Sequence, residues 1–136
     1  MKYIGYIFMF VVFCVSFLFV IQSRRNDKKS SEFLKEEYPL LETVNARNIA
    51  GVVLSKKQSM NQYYRGGYLI ELINAEKFTL SGVTINYLYK PYDICDFLQI
   101  NDSINKPVQN DSLYVYRQGK EYYFVLGEVL NKELKK

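Results

Sequence analysis

The most regular pattern in the sequence is an unbroken apolar run near its start. Residues 3–21 read YIGYIFMFVVFCVSFLFVI, nineteen residues without a charged side chain. As a helix they extend about 28 Å, which matches the hydrocarbon core of a bilayer. A helix also pairs its own backbone polar groups, as a membrane requires. Polar and basic residues follow directly at 22–25, as is typical of the membrane–water interface. The pattern predicts a transmembrane anchor over residues 1–22.

Two questions about this anchor stay open. A signal peptide cleaved after Ser23 is the competing interpretation, but the apolar run is longer than the core of an ordinary signal sequence and only Lys2 precedes it. The side of the membrane is the second question. The basic residues after the helix favour a cytoplasmic domain, whereas a single N-terminal helix is also how many bacterial proteins are exported and tethered. We expect a retained, single-pass anchor.

Residues 23–48 form a polar connector. Ser30 and Ser31 are suited to cap a short amphipathic helix over 32–37, because their hydroxyl groups accept hydrogen bonds from the first turn. Pro39 ends that helix, since a proline pushes the preceding residue out of the helical region. The same residues could instead prolong the anchor helix, so both arrangements stay open.

From about Ile49 the pattern changes to short apolar and aromatic runs separated by Gly, Asn, Asp and Ser. Such runs are typical of consecutive antiparallel strands. They predict five strands over residues 49–55, 67–73, 77–86, 112–117 and 121–130. The predicted fold is an N-terminal transmembrane helix followed by a mainly β domain at 49–136. That domain is expected to be a small antiparallel barrel or half-open sheet, OB-like or SH3-like.

The last two predicted strands form a hairpin whose register depends on its turn. With Gly119 and Lys120 as a two-residue turn, Val115 lies opposite Phe124. The slipped alternative starts the turn one residue earlier and opposes Arg117 to Lys120. We favour the first register because like charges opposite each other are destabilising. Period-two alternation then predicts a core face with Leu113, Val115, Phe124 and Leu126, and an outer face with Tyr114, Tyr116 and Tyr123.

Charge is unevenly divided along the chain, whose formal net charge is +4. Five of the 18 basic residues and one of the 14 acidic residues lie within 1–29, so residues 30–136 carry 13 of each. A neutral domain argues against nucleic acid as a partner, because phosphate contacts need a basic surface. The basic surplus beside the anchor predicts contact with anionic lipid headgroups, or a plain stop-transfer flank. Its residues are Arg24, Arg25, Lys28 and Lys29.

The residues that carry chemistry exclude most catalytic classes. The chain has no histidine, which is the commonest general base and metal ligand. It also has no Cys-x-x-Cys pair and no glycine-rich phosphate loop. Asp93 and Asp96 flank Cys95, but no histidine can activate the thiol, so a solvated turn beside a buried cysteine is the simpler interpretation. We expect no enzyme activity, no cofactor and no metal.

One loop has the composition of a recognition surface. Tyr63, Tyr64 and Arg65 lie between the first two predicted strands, followed by two glycines. Tyr and Arg dominate binding hot spots, and loops commonly carry function. The alternative, of equal weight, is that the two rings fold back over the mouth of a barrel. Tyr-rich β surfaces also suggest stacking on sugars or on single-stranded nucleic acid.

A tight turn is predicted within residues 97–117, at Asn101, Asp102 and Ser103, which are followed by Ile, a spacer and Lys. Asn tolerates a left-handed backbone, and Asp and Ser side chains commonly bond to N–H groups two residues on. We interpret all three residues as structural. The motif resembles that of small bacterial single-pass membrane-anchored proteins whose C-terminal β domain carries a (G/N)DSI-x-K turn. The resemblance implies the same architecture and no assigned activity.

Three hypotheses of function follow. The first is a membrane-tethered, non-enzymatic binding or assembly module of unknown ligand. The second is an accessory or structural subunit of a larger membrane complex, and the third is an enzyme that works without histidine. The partners expected are the lipid bilayer and another membrane or envelope protein. The sequence does not determine the oligomeric state.

Overall fold

The computed structural model describes residues 2–43, 47–59 and 67–135. They fall into two compact units, one up to Leu34 and one from Lys35 onward.

The first element is a single helix, α1 (Lys2–Glu37), of 36 residues. Within Met9–Glu37, the part of α1 whose side chains are described, the helix is long and apolar enough to cross a membrane, and its apolar window there is not buried by the protein. The helix continues through the segment where a separate short helix was one alternative, so prolongation is the arrangement found. Ser31 does not cap a new helix: its hydroxyl donates to the Asp27 carbonyl one turn back, at 2.8 Å.

The described part of the chain contains eight strands: β1 (Ile49–Gln58), β2 (Tyr68–Leu72), β3 (Lys77–Leu80), β4 (Ile85–Asn86), β5 (Ser103–Lys106), β6 (Ser112–Arg117), β7 (Lys120–Val125) and β8 (Val129–Leu130). Six form one antiparallel sheet in the order β3-β2-β1-β5-β6-β7, and β4 pairs with β8 in parallel. A short helix, α2 (Ile94–Phe97), precedes β5, and single 3-10 turns occupy Leu41–Thr43 and Lys132–Leu134. Among the described strands β3 and β7 are the two edges, so the sheet is open.

The observed strands differ from the five predicted ones in two ways. The predicted strands at 77–86 and 121–130 each divide in two, and Gly127, at φ 74°, turns the chain between β7 and β8. Strand β5 was not predicted. It has only four residues, Ser-Ile-Asn-Lys, of which one is apolar. It therefore lacks the apolar run by which strands are recognised.

Strand β1 belongs to both halves of the sheet. Its first part, from Ile49 to Val52, pairs with β5, and its second part, from Val53 to Gln58, pairs with β2. The register shifts between Val53 and Ser55, and such an irregularity bends a strand and increases its twist. The long first strand therefore turns a corner between the two halves.

The segment after α1 belongs to the β unit. The Pro39 carbonyl accepts a hydrogen bond from the Thr79 amide at 2.9 Å, and the Glu42 carboxylate accepts one from the Ser81 amide at 2.9 Å. Leu41 is completely buried. These residues cover the outer edge of β3, so the compact unit starts before the boundary at 49 drawn from the sequence.

The hydrophobic core lies between the inner face of the large sheet and α2. Neighbouring strands contribute paired residues that share this face, such as Ile70 with Phe78 and Leu113 with Phe124. Its buried members are Leu41, Ile49, Val53, Ile70, Leu72, Phe78, Leu80, Ile94, Cys95, Phe97, Leu98, Ile104, Leu113, Val115, Phe124 and Leu126.

The register predicted for the final hairpin is wrong. The turn is formed by Gln118 and Gly119, with φ 51° and 73°, and positive φ at both central residues is what a type I′ turn requires. Arg117 therefore pairs with Lys120. The sequence analysis rejected this register because it places these two like charges opposite each other. The pair is tolerated because Arg117 is neutralised by Asp102, whose carboxylate accepts two hydrogen bonds from it.

The faces predicted for this hairpin are nevertheless confirmed. Leu113, rather than Val115, lies opposite Phe124. The partner of each residue moves by two positions, and a shift of two leaves every side chain on the same face of a strand. The four predicted core residues are buried, while Tyr116 and Tyr123 are exposed.

Candidate functional site

Two surfaces predicted from the sequence stay predictions. The recognition loop at 63–65 lies outside the described residues. The basic residues of segment 24–29 are exposed on α1, where Lys28 forms an ion pair with Glu32 at 4.0 Å. Exposure leaves these cations accessible to headgroups, which is the condition that the predicted lipid contact requires.

The predicted turn at 101–103 connects α2 to β5. Asn101 has φ 72°, the left-handed conformation that asparagine tolerates. Its amide donates to the Val53 carbonyl, and the Val53 amide donates to the Asp102 carbonyl, both at 2.9 Å. The Asp102 carboxylate accepts from the amide of Gln99 at 2.8 Å. That donor lies three residues earlier in the chain, whereas the sequence analysis expected one two residues later.

A buried ion pair attaches this turn to the last hairpin. Arg117 donates to Asp102 through Nε at 2.7 Å and through Nη2 at 2.6 Å. The Asp102 side chain is 2% exposed and that of Arg117 is 22% exposed. Nη2 also donates to the Phe97 carbonyl at 2.7 Å, and the guanidinium lies 4.7 Å from the centre of the Phe97 ring. Hydrogen bonding to Asp102 raises the pKa of Arg117. Because the polar groups satisfy each other, this network is structural.

Sequence reasoning missed this pair, although one signal was available. Arg117 continues the alternation of Leu113 and Val115 onto the core face. A charge at an inward position requires a buried partner. Nothing in the spacing identifies that partner as Asp102, which lies fifteen residues earlier in the chain.

A second cation holds the same end of α2. Lys56 donates through Nζ to the Leu98 carbonyl at 2.9 Å and lies 4.5 Å from the centre of the Tyr68 ring. Burial lowers the pKa of Lys56, and the nearby Asp96 carboxylate opposes this effect. Cations near the last carbonyls of a helix are favourable. Lys56 and Arg117 therefore fix the position of α2 from two sides.

A pocket of about 540 Å³ lies beside α2. This volume falls within the range of roughly 300–1,000 Å³ that small-molecule sites occupy. Sequence reasoning did not predict it, because its residues come from an irregular segment. They are Ile85, Tyr87, Lys90, Pro91, Tyr92, Asp93 and Asp96.

The segment that forms the pocket is tied down at its base by Asn86, which is almost fully buried. The Asn86 side-chain amide donates to the Tyr123 carbonyl at 2.7 Å, and its oxygen accepts from Leu88 at 3.0 Å and from Asn131 at 2.8 Å. The Asn86 backbone amide donates to the Tyr92 carbonyl at 2.9 Å. Both ends of residues 86–92 are thus held together, so hydrogen bonds within the fold fix the segment that lines the pocket.

The tyrosines of this segment divide between core and pocket. Tyr89 points inward, with its ring centre 5.2 Å from that of Tyr122 and 5.6 Å from that of Phe124. Tyr87 and Tyr92 line the pocket, and their ring centres lie 5.0 Å apart at an angle of 50°. One tyrosine anchors the segment, and the other two supply an aromatic wall.

The polar groups of the pocket include both signs of charge. Asp93 caps α2, since its carboxylate accepts from the Cys95 amide at 2.7 Å, and burial raises the pKa of Asp93. The Asp96 side chain is exposed, and the Tyr68 hydroxyl donates to it at 3.4 Å. The Lys90 ammonium lies 5.8 Å from the centre of the Tyr92 ring. The pocket therefore offers hydrogen-bond acceptors and a donor beside aromatic surface.

Cys95, between the two aspartates, faces the core. Its thiol donates to the Ser81 carbonyl at 3.3 Å, and burial raises the pKa of Cys95. A thiol held protonated is a poor nucleophile and a poor metal ligand. Within residues 2–43, 47–59 and 67–135, no group of three or more acidic, cysteine or histidine side chains is placed to hold a metal ion.

Comparison of the chain with known protein families, with curated proteins and with solved structures finds no match. The resemblance to small membrane-anchored bacterial proteins stays a prediction.

Proposed function

We propose that the chain is a membrane-tethered, non-enzymatic binding module whose ligand site is the pocket beside α2. The observation that carries the proposal is that contacts within the β domain hold the segment that lines this pocket. Asn86 and Tyr89 hold its segment against the β domain by hydrogen bonds and ring contacts, while Tyr87 and Tyr92 line the open side. A preformed site binds without the entropic cost of ordering a loop.

The tether is supported by α1. Its apolar stretch matches the thickness of a bilayer, and its exposed basic residues at 24–29 would lie among headgroups, so the bilayer is the first proposed partner. The side on which the β domain lies decides which ligands it meets. A topology reporter fused after Lys136 distinguishes the cytoplasmic from the exported arrangement.

The OB-like or SH3-like assignment of the domain also belongs to this proposal. Its support is β1, which bends at the register shift near Leu54 and is shared by both halves of the sheet. Small barrels use such bends to turn their corners.

The second candidate function is that of an accessory subunit in a larger membrane complex. It is favoured by two exposed aliphatic side chains of the large sheet and its border, Ile73, which is 63% exposed directly after β2, and Leu54, which is 51% exposed on β1. Exposed aliphatic side chains on a sheet are available to pack against a protein partner.

One cross-linking experiment separates the two functions. A photoreactive phenylalanine analogue is placed singly at Leu88, at Ile73 or at Val108, in the full chain in its native membrane. Leu88 is 56% exposed on the pocket segment, and Val108, at 52%, is a control of similar exposure in the loop between β5 and β6. Specific adducts at Leu88 alone support the binding module.

Adducts at Ile73 alone would support the accessory subunit and overturn the pocket as the site of function. Equal labelling at Leu88 and Val108 would show nonspecific collisions and would also overturn the proposal.

A further inference from the structure

The pocket beside α2 contains a combination of groups that restricts its ligand chemistry, if the proposed function is correct. Two carboxylates, from Asp93 and Asp96, lie with the Lys90 ammonium around the rings of Tyr87 and Tyr92. We infer that this pocket binds an uncharged carbohydrate.

Both kinds of charged ligand are disfavoured by the same residues. An anion, such as a phosphate group or a nucleic acid backbone, would meet Asp93 and Asp96. A compact cation would be attracted by the carboxylates, but the Lys90 ammonium lines the same pocket and already lies 5.8 Å from the centre of the Tyr92 ring, so it competes for the same acidic and aromatic groups. Residues 30–136 carry equal numbers of basic and acidic side chains, so the net charge of this part of the chain attracts neither sign.

A polyhydroxylated neutral ring complements both the polar and the aromatic groups of the pocket. Its hydroxyl groups donate to carboxylates, which only accept when ionised, and accept from an ammonium, which only donates. Its C–H face packs on aromatic rings, for which tyrosine supplies an apolar body with a polar tip. The tilt of 50° between the Tyr87 and Tyr92 rings gives a curved wall rather than a flat platform. With a volume of about 540 Å³, the pocket accommodates the end or a short segment of an oligosaccharide.

Asp96 is the best test residue on the polar side. Its side chain is exposed and makes a long contact of 3.4 Å with Tyr68, so Asp96→Asn removes one negative charge from the pocket while keeping the size of the side chain. Asp93 is unsuitable, because it also caps α2. On the aromatic side Tyr92→Ala removes part of the wall. Tyr116→Ala is the matched control, since Tyr116 is exposed on the outer face of the sheet.

The experiment uses the full chain in micelles of lauryldimethylamine oxide, a detergent without a sugar headgroup. Saturation-transfer NMR is recorded with three probes of equal length: the neutral hexamer of N-acetylglucosamine, the cationic hexamer of glucosamine and the anionic hexamer of galacturonate. We expect a signal from the neutral hexamer at least tenfold stronger than from either charged one. Tyr92→Ala should abolish it, Asp96→Asn should weaken it several-fold, and Tyr116→Ala should leave it unchanged.

Preference for a charged hexamer, no signal from the neutral one, or equal loss in Tyr92→Ala and Tyr116→Ala would each overturn the carbohydrate assignment. Circular dichroism shows whether Tyr92→Ala is folded, and if it is not, unchanged binding by Asp96→Asn contradicts the inference. Failure here is distinguishable from failure of the proposed function. Specific cross-links at Leu88 without a carbohydrate signal would leave the binding site standing and reject only its ligand class.

Discussion

The ion pair between Asp102 and Arg117 should be one of the largest polar contributions to the stability of the β domain. Two replacements test it without changing the size of either side chain much. Asp102→Asn removes the negative charge, and Arg117→Met removes the positive charge while keeping an apolar stem. We expect the second change to be the more damaging one, because it leaves the more deeply buried partner, the aspartate, without its counter-charge.

The magnitudes follow from what each variant leaves behind. Arg117→Met leaves a carboxylate that is 2% exposed with the Gln99 amide as a remaining donor. Removing one partner of a buried pair in this way costs about 3–5 kcal/mol. In Asp102→Asn the guanidinium keeps its bond to the Phe97 carbonyl and is 22% exposed, so water compensates in part. A charge-assisted hydrogen bond contributes about 1.5–3 kcal/mol, and we expect a loss in that range.

The assay is a double-mutant cycle on residues 35–136, with guanidinium unfolding followed by far-UV circular dichroism. Because both changes remove the same interaction, the double variant should lose less than the two single losses combined, with a coupling energy above about 1.5 kcal/mol. Additive losses, or a loss below about 1 kcal/mol for Arg117→Met, would show that the pair behaves as an ordinary surface ion pair and refute the structural role assigned to it.

Three further predictions concern the same β unit. Residues 35–136 should form a soluble, β-rich monomer by circular dichroism and light scattering. A fragment that starts at residue 47 should have a free energy of unfolding lower by about 2–5 kcal/mol, because it lacks the buried Leu41. Equal stabilities of the two fragments would contradict a β unit that starts before residue 47. Phe124→Ala should cost about 3–5 kcal/mol in urea melts, and a mild effect would remove Phe124 from the core. Burial raises the pKa of Cys95 in the folded state. The protonated thiol therefore contributes its full stabilisation below the pKa of the unfolded thiol, about 8.5, and this stabilisation is lost progressively as the pH rises above that value. The melting temperature of the parent should therefore fall more steeply from pH 8 to 10 than that of Cys95→Ala, and parallel curves would refute this.

The contrast between face and register in the last hairpin shows what the sequence can determine. Hydrophobic alternation assigns each residue to a face, and every predicted core residue of β6 and β7 is buried. Register depends on the turn and on contacts outside the hairpin. The objection to pairing Arg117 with Lys120 was correct for an isolated hairpin, but it failed here because Asp102, from another part of the chain, neutralises Arg117.

The candidate pocket could not be predicted for a related reason. Asp93, Asp96 and Cys95 were visible as a cluster, and their interpretation as a turn agrees with the capping of α2 by Asp93. The aromatic lining of the pocket, however, depends on which tyrosines of an irregular segment point outward. Tyr87, Tyr89 and Tyr92 are equivalent in the sequence. Their separation into one core ring and two pocket rings follows from the buried side chain of Asn86, whose three partners come from distant segments and from its own loop.

The pocket and the buried ion pair both involve α2. This helix has four residues, and a helix that short has no stability of its own. Asp93 holds its first turn, while Arg117 and Lys56 hold the carbonyls at its end. Asp93 also lines the pocket, whereas Arg117 does not. A ligand that fixes Asp93 therefore stabilises the same helix that the ion pair stabilises. By linkage, loss of Arg117 should weaken binding at a pocket it does not touch, and a bound ligand should restore part of the stability that this loss removes.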